Sequence, residues 1–337
     1  MDDIEPGDRM KKRRDLLVLL GTGMASAPIE LFGQQPAKIN RIGFLQIGPP
    51  TIRWQFDAFM QQLRELGYVE GKTVTIEYRS AESKYELLPG LAAELVQRNV
   101  HVIVAADGTP AALAAKNATR TIPVVFVNVA DPVGQGMVQS LARPGGNVTG
   151  LSSLHSETAM KTLQLLKEIV PSATRVAILT NPENSSLPFV IKEMEVAARR
   201  LSLATSLVHA GSPGDFENAV AEAIRLRASG IAVLTDAMFN TNAASLAALV
   251  TQRRMPTIGG VDLYAESGGL LSYGANRIEN YRRAAVLVDK ILKGTKISDL
   301  PVEQPTKFSL IVNLKTAREL GLTIPQTILV WADKVIQ

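Results

Sequence analysis

From residue 39 onward the chain alternates short apolar runs with longer segments whose apolar residues fall on one helical face. A strand buried on both sides needs a continuous apolar run, so this alternation predicts strand–helix–strand units and a parallel sheet covered on both faces. Strands are predicted over 41–47, 73–79, 101–105 and 123–127, then over 175–180, 203–209, 230–235 and 256–259. Between the first two, Phe56, Phe59, Met60, Leu63 and Leu66 share one helical face that stops at Gly67. Leu87, Leu88, Leu91 and Leu95 do the same before the third strand, and all of these side chains are read as core.

The two sets of strands echo each other. Arg41-Ile42-Gly43-Phe44-Leu45 is similar to Arg175-Val176-Ala177-Ile178-Leu179, and Ile122-Pro123-Val124 to Met255-Pro256-Thr257. Val104-Ala105-Ala106-Asp107 likewise sits in register with Val233-Leu234-Thr235-Asp236. Such a repeat predicts two lobes of one α/β architecture, and a length of 337 residues also favours two domains over one. Passages between the lobes are placed at the turn-rich Arg143-Pro144-Gly145-Gly146-Asn147, at 267–274, and at 299–305. The third follows a helix whose inner face is Tyr281, Ala284, Ala285, Val288, Ile291 and Leu292. Three crossings restrict the lobes to hinge motion.

The N-terminal segment has a different pattern. Lys11-Lys12-Arg13-Arg14 precedes Leu16-Leu17-Val18-Leu19-Leu20 and a Gly/Ala/Ser-rich stretch to Gly33, the charged and apolar regions of a secretory signal. Residues 1–33 are therefore read as an export signal cleaved near Gly33, with Arg13-Arg14 pointing to the twin-arginine route and Met10 offering a second start. Gly21, Gly23, Pro28 and Glu30 interrupt the apolar run before it reaches the roughly 20 residues that a membrane span needs. A periplasmic protein is expected. With no cysteine in the chain, disulfide scaffolds, thiol catalysis, thiolate metal sites and a lipid-modified N-terminal cysteine are excluded. Histidines at 101, 155 and 209 are too scattered for a metal cage. The 36 basic residues are offset by 32 acidic ones without any basic block beyond 11–14, so no nucleic-acid partner is expected.

In open parallel sheets, ligands bind beyond the carboxyl ends of the strands, where loops and helix N-termini converge. The first lobe places Thr51, Tyr85, Asp107, Gly108, Thr109, Asn128 and Asp131 there, and the second Asn181, Asp236 and Tyr264. Ser153, just past the first passage, joins this ligand-binding set. Thr109 can cap a helix that opens with Pro110, leaving N–H groups for a small anion, although a plain capped helix fits the same residues. Asp107 and Asp236, one per lobe, are candidates for a ligand ammonium group or, equally, loop carboxylates and caps. Tyr85, Phe239 and Tyr264 offer aromatic walls, with burial in the core an equal reading for Phe239. Gly108-Thr109-Pro110 lacks the lysine of a phosphate loop, and neither a Gly-x-Ser-x-Gly elbow nor a His-Glu-x-x-His motif occurs. No catalytic residue, metal or cofactor is assigned.

Several stretches together carry a family resemblance: 63–72 (Leu63-Arg64-Glu65-Leu66-Gly67-Tyr68), Gly108-Thr109-Pro110-Ala111-Ala112, Asp131-Pro132-Val133-Gly134, 141–150 (Leu141-Ala142-Arg143-Pro144-Gly145-Gly146) and 300–308 (Leu300-Pro301-Val302-Glu303-Gln304-Pro305). In these the chain resembles the solute-binding proteins of bacterial ABC importers, in the family that includes binders of aromatic and other amino acids. The resemblance implies a type I periplasmic-binding fold with two doubly wound parallel-sheet lobes and a three-segment hinge. The expected division is 38–150 plus 276–300 for one lobe and 151–275 plus 304–337 for the other. It also implies a monomer that captures a small polar or zwitterionic molecule and delivers it to an inner-membrane permease. By the same resemblance Thr109 meets a ligand carboxylate and Asp236 an ammonium group, with Asn181 beside them. Asp107 and Thr180 depart from the family pattern, and a carboxylate at 107 would oppose a ligand carboxylate. The alternatives are a sensory clamp for a membrane receptor and a hydrolase or isomerase on the same fold.

Overall fold

The computed structural model describes residues 39–153 and 155–337, so the export segment read over 1–33 lies outside the described residues. The first half runs β1 (Asn40–Gln46), α1 (Trp54–Glu65), β2 (Val74–Ser80), α2 (Leu88–Gln97), β3 (Val102–Ala105), α3 (Thr109–Ala118), β4 (Val124–Val129) and β5 (Val148–Ser152). The second half runs α4 (His155–Ile169), β6 (Arg175–Thr180), α5 (Leu187–Arg200), β7 (Ala204–His209), α6 (Phe216–Arg225), β8 (Ile231–Val233), α7 (Ala237–Thr241), α8 (Ala243–Gln252), β9 (Thr257–Gly259), α9 (Asp262–Glu266) and β10 (Leu271–Ala275). There follow α10 (Arg277–Leu292), β11 (Phe308–Asn313), α11 (Leu314–Leu320), α12 (Gln326–Trp331) and β12 (Lys334–Ile336).

Two sheets result, ordered β2-β1-β3-β4-β5 and β12-β11-β10-β9-β8-β6-β7. Read from β7, the second begins β7-β6-β8-β9-β10 and so repeats the order of the first, which is the internal echo of the sequence expressed as topology. All described strand pairs are parallel except β10 with β11. Central strands such as β3, Val102-Ile103-Val104-Ala105, are buried throughout because helices lie on both faces. On one face of the first sheet, Phe56, Phe59 and Leu63 of α1 pack with Tyr281, Ala284 and Val288 of α10.

The helix α10 therefore belongs with the first sheet, although β10 before it and β11 after it belong to the second. The chain accordingly crosses between the lobes after β5, after β10 and before β11. This corrects the passage read at 267–274, since Leu271-Ser272-Tyr273-Gly274-Ala275 is itself a strand of the second sheet and the crossing comes at Asn276. The three crossings are joined by backbone hydrogen bonds: Ser152 N–H donates to Glu303 O, Glu303 N–H to Gly150 O, and Asn276 N–H to Lys307 O, each at 2.9 Å. Arg283 of α10 adds a two-pronged contact to the Glu303 carboxylate, both bonds 2.8 Å.

Candidate ligand-binding site

The carboxyl ends of both sheets face one cleft, and the local backbone sets what each end presents. After β3 the chain turns through two left-handed residues, Asp107 (φ +71°) and Gly108 (φ +108°), before α3 begins. That turn buries the Asp107 carboxylate among donors. Its Oδ1 accepts from Tyr281 Oη (2.9 Å), Arg277 Nη2 (3.1 Å) and Gln55 Nε2 (3.2 Å), and its Oδ2 from the Gly48 N–H (3.4 Å). The Tyr281 hydroxyl also accepts from the Asp107 N–H at 3.0 Å. Burial, followed by the Asp107 charge, pushes the Tyr281 hydroxyl well above its ordinary pKa, so it stays protonated and donates. Tyr281→Phe is expected to lower stability by about 1–3 kcal/mol in urea unfolding, because it strands the buried Asp107 N–H and takes one of three donors from Oδ1. A variant as stable as the parent would show that this hydroxyl holds nothing in place.

In β4 the register against β5 slips between Val127 and Val129, and the bulged residue is Asn128, left-handed at φ +63°. A bulge re-aims a side chain. Here it brings the Asn128 amide to the cleft, where its Oδ1 accepts from Asn280 Nδ2 of α10 at 2.6 Å and its own Nδ2 is buried without a partner.

In the second lobe Asp236 caps α7 and is 2% exposed. Four donors reach it: Met238 N–H (2.9 Å) and Asn181 Nδ2 (3.2 Å) at Oδ1, Asn184 Nδ2 (2.8 Å) and Tyr85 Oη (2.6 Å) at Oδ2. The last comes from the opposite lobe, so the cleft is bridged directly. Burial and then the Asp236 charge raise the Tyr85 pKa far above its usual value, which keeps the donated proton on the phenol.

Between the lobes lies a cavity of about 110 Å³. Its lining includes the polar group Asp107, Gly108, Asn128 and Arg277 and the apolar group Leu187, Val190 and Met194 of α5 with Ala232 and Leu234, the latter flanked by Asn184, Ser186 and Thr235. Asp236 borders a smaller recess on the other side of the Arg277–Asp107 pair.

Of the residues singled out from sequence, Asp107, Gly108, Asn128 and Ser153 line this cavity, while Tyr85 and Asp236 meet beside it with Asn181 holding Asp236. Others go elsewhere. Thr51 is exposed in the turn after β1. Thr109 is the first helical residue rather than the cap; Gly108 occupies that position, and the Thr109 hydroxyl accepts from Ala130 N–H and Gln135 Nε2, both 3.4 Å. Asp131 closes its own loop by accepting from the Gly134 N–H at 2.8 Å. Tyr264, 3% exposed, lies under Gly259 and Gly269 in the second lobe's core and donates to Thr257 Oγ1; Phe239 is core as well. At Asp107 the cationic partner within the chain is Arg277, whose Nη2 lies 3.1 Å from Oδ1.

Sequence reasoning missed Arg277, Asn184, Asn280 and the apolar group. Asn184 had a signal, since Asn181-Pro182-Glu183-Asn184 is polar at the carboxyl end of β6. Arg277 and Asn280 had none, because they reach the first lobe only by way of the returning helix α10.

A profile of the ABC transporter substrate binding protein family matches residues 44–336. The chain belongs to that family. The substrate-binding protein is 27% identical over 289 residues to the "Tyrosine-binding protein" of Clostridioides difficile, covering 85% of this chain and 82% of the relative. A conserved domain protein from Vibrio cholerae superposes with a TM-score of 0.83 at 28% identity, covering 88% of this chain and all of the other. An ABC domain from Streptococcus pneumoniae in complex with L-Trp gives 0.81 at 25% identity, again with 88% of this chain and all of the other. The substrate-binding protein thus has the type I periplasmic-binding fold, and of these relatives one is named a tyrosine-binding protein and one is in complex with L-Trp.

Proposed function

We propose that this chain is the exported solute-binding component of an ABC importer, which traps a small polar or zwitterionic solute of the amino-acid class, or an aromatic relative, and releases it unaltered to an inner-membrane permease. The observation that carries this reading is the cavity between the lobes, whose lining joins Asp107 and Arg277 to the apolar Leu187, Val190 and Met194. The tyrosine-binding relative and the L-Trp complex support the amino-acid class. Binding in a periplasmic monomer, rather than catalysis, is the activity assigned. The two lobes act as jaws about the three crossings. A ligand that touches both jaws shifts the open–closed equilibrium by its differential affinity for the closed state. Micromolar capture corresponds to about 8 kcal/mol, within reach of a few charge-assisted hydrogen bonds and one buried apolar group after association costs.

Titration calorimetry of the purified mature chain against amino acids and aromatic acids is expected to find a one-to-one binder. Mass spectrometry after long incubation is expected to return that compound intact. A chemically altered compound, or no binder across the panel, would overturn the reading.

A further inference from the structure

Among the described residues that line the cavity, two carry a side-chain nitrogen that is buried without a hydrogen-bond partner, Asn128 at Nδ2 and Arg277 at Nε. Both are donors. The Arg277 side chain is 10% exposed, lies at the N-terminus of α10 and already spends Nη2 on Asp107. Gly108, at the positive end of the α3 dipole, lines the same wall. The two buried carboxylates next to the cavity are by contrast supplied from within the protein, Asp107 by four donors and Asp236 by another four. The unmet demand of the site is therefore for acceptors.

We propose that Arg277 and Asn128 determine specificity by receiving the ligand's carboxylate, so that the site selects carboxylates with an apolar body and does not require an α-ammonium group. This rests on the binding reading above and names the chemical class within it. Arg277 bridges two carboxylates, with Nη2 on Asp107 and Nε on the ligand, which offsets the repulsion that an acid beside Asp107 would otherwise meet. The ligand's apolar body then runs toward Leu187, Val190 and Met194. Thr109, whose hydroxyl faces the 130–135 loop, takes no part.

The test is calorimetric titration of matched compounds built on the tyrosine, tryptophan and leucine side chains, each as the amino acid, the decarboxylated amine and the deaminated acid. For at least one side chain, the deaminated acid is expected to bind within about tenfold of the amino acid and the amine at least about a hundredfold more weakly, as loss of two charge-assisted hydrogen bonds implies. Asn128→Ala and Arg277→Lys are each expected to weaken the acid by about tenfold or more. Arg277→Lys keeps a cation for Asp107 while withdrawing Nε, and Asn128→Ala leaves that pair untouched, so a folding defect in one does not shield the proposal from the other. Binding of the amines, a strict need for the ammonium group, or unchanged affinity in both variants would overturn it while leaving capture in the cleft standing. No binding by any compound would overturn both.

Discussion

Asp236→Ala is expected to cost about 3 kcal/mol of stability and to weaken ligand capture by about tenfold, two effects with separable causes. The stability loss is local to the second lobe. Without the carboxylate, Asn181 Nδ2, Asn184 Nδ2 and the Met238 N–H lose their acceptor in a site that is 2% exposed, and α7 loses its cap. The effect on capture is expected through Tyr85, whose 2.6 Å bond to Asp236 joins the two lobes. Tyr85→Phe separates the two, since it removes the bridge and leaves the other three donors in place. It is expected to reproduce most of the affinity loss with little change in the urea midpoint. If Asp236→Ala unfolds at the parental midpoint, the four-donor site is not a structural element. If Tyr85→Phe binds as the parent does, the bridge does not contribute to closure.

The second large effect is expected at a hinge position. In Gly150→Ala the added Cβ would lie 2.1 Å from Phe126 O and 2.7 Å from Phe126 N, distances that backbone atoms cannot accommodate without separating β4 from β5. Phe126 and Gly150 are partners in that ladder, and Gly150 O also receives the Glu303 N–H that joins the first crossing to the third. About 3 kcal/mol or more should be lost, at the upper end of overpacking costs, because the clash is with main chain in a buried layer and not with the tip of a side chain. Gly67 is the control. Its φ of +92° also suits glycine, but a Cβ there meets nothing within 4 Å, so Gly67→Ala should cost only about 1 kcal/mol from backbone strain. Equal urea midpoints for the two variants would show that the hinge ladder has room to relax.

The strands that were most plainly legible carry near-continuous apolar runs, such as Val102-Ile103-Val104-Ala105 and Arg175-Val176-Ala177-Ile178-Leu179-Thr180, and β2 and β7 were read despite their mixed polarity. Those that were not read are β5, β10, β11 and β12. Val148-Thr149-Gly150-Leu151-Ser152 and Leu271-Ser272-Tyr273-Gly274-Ala275 carry glycine and hydroxyl residues where close backbone approach needs them; a Cβ at Gly274 would sit 2.2 Å from Gly260 O. Their polarity comes from lying at the crossings between lobes, and local pattern cannot express that. Tyr264 shows the reverse error: an aromatic near a strand end looks like a wall for a ligand until two glycines, Gly259 and Gly269, make room for its ring inside the core.

The alternation of apolar runs and helical faces, with the echo between residues 41–45 and 175–179, was enough to determine two like α/β lobes, because burial on both sides of a parallel sheet constrains every position of a strand. It was also enough to place Asp107 and Asp236 at equivalent strand ends. What those carboxylates do was decided only by tertiary structure. Arg277, Tyr281 and Tyr85 meet them across separations of 170, 174 and 151 residues, because α10 returns to the first lobe and Tyr85 reaches across to the second. A buried charge takes whatever donors the fold brings within about 3 Å, and sequence spacing carries no record of those partners.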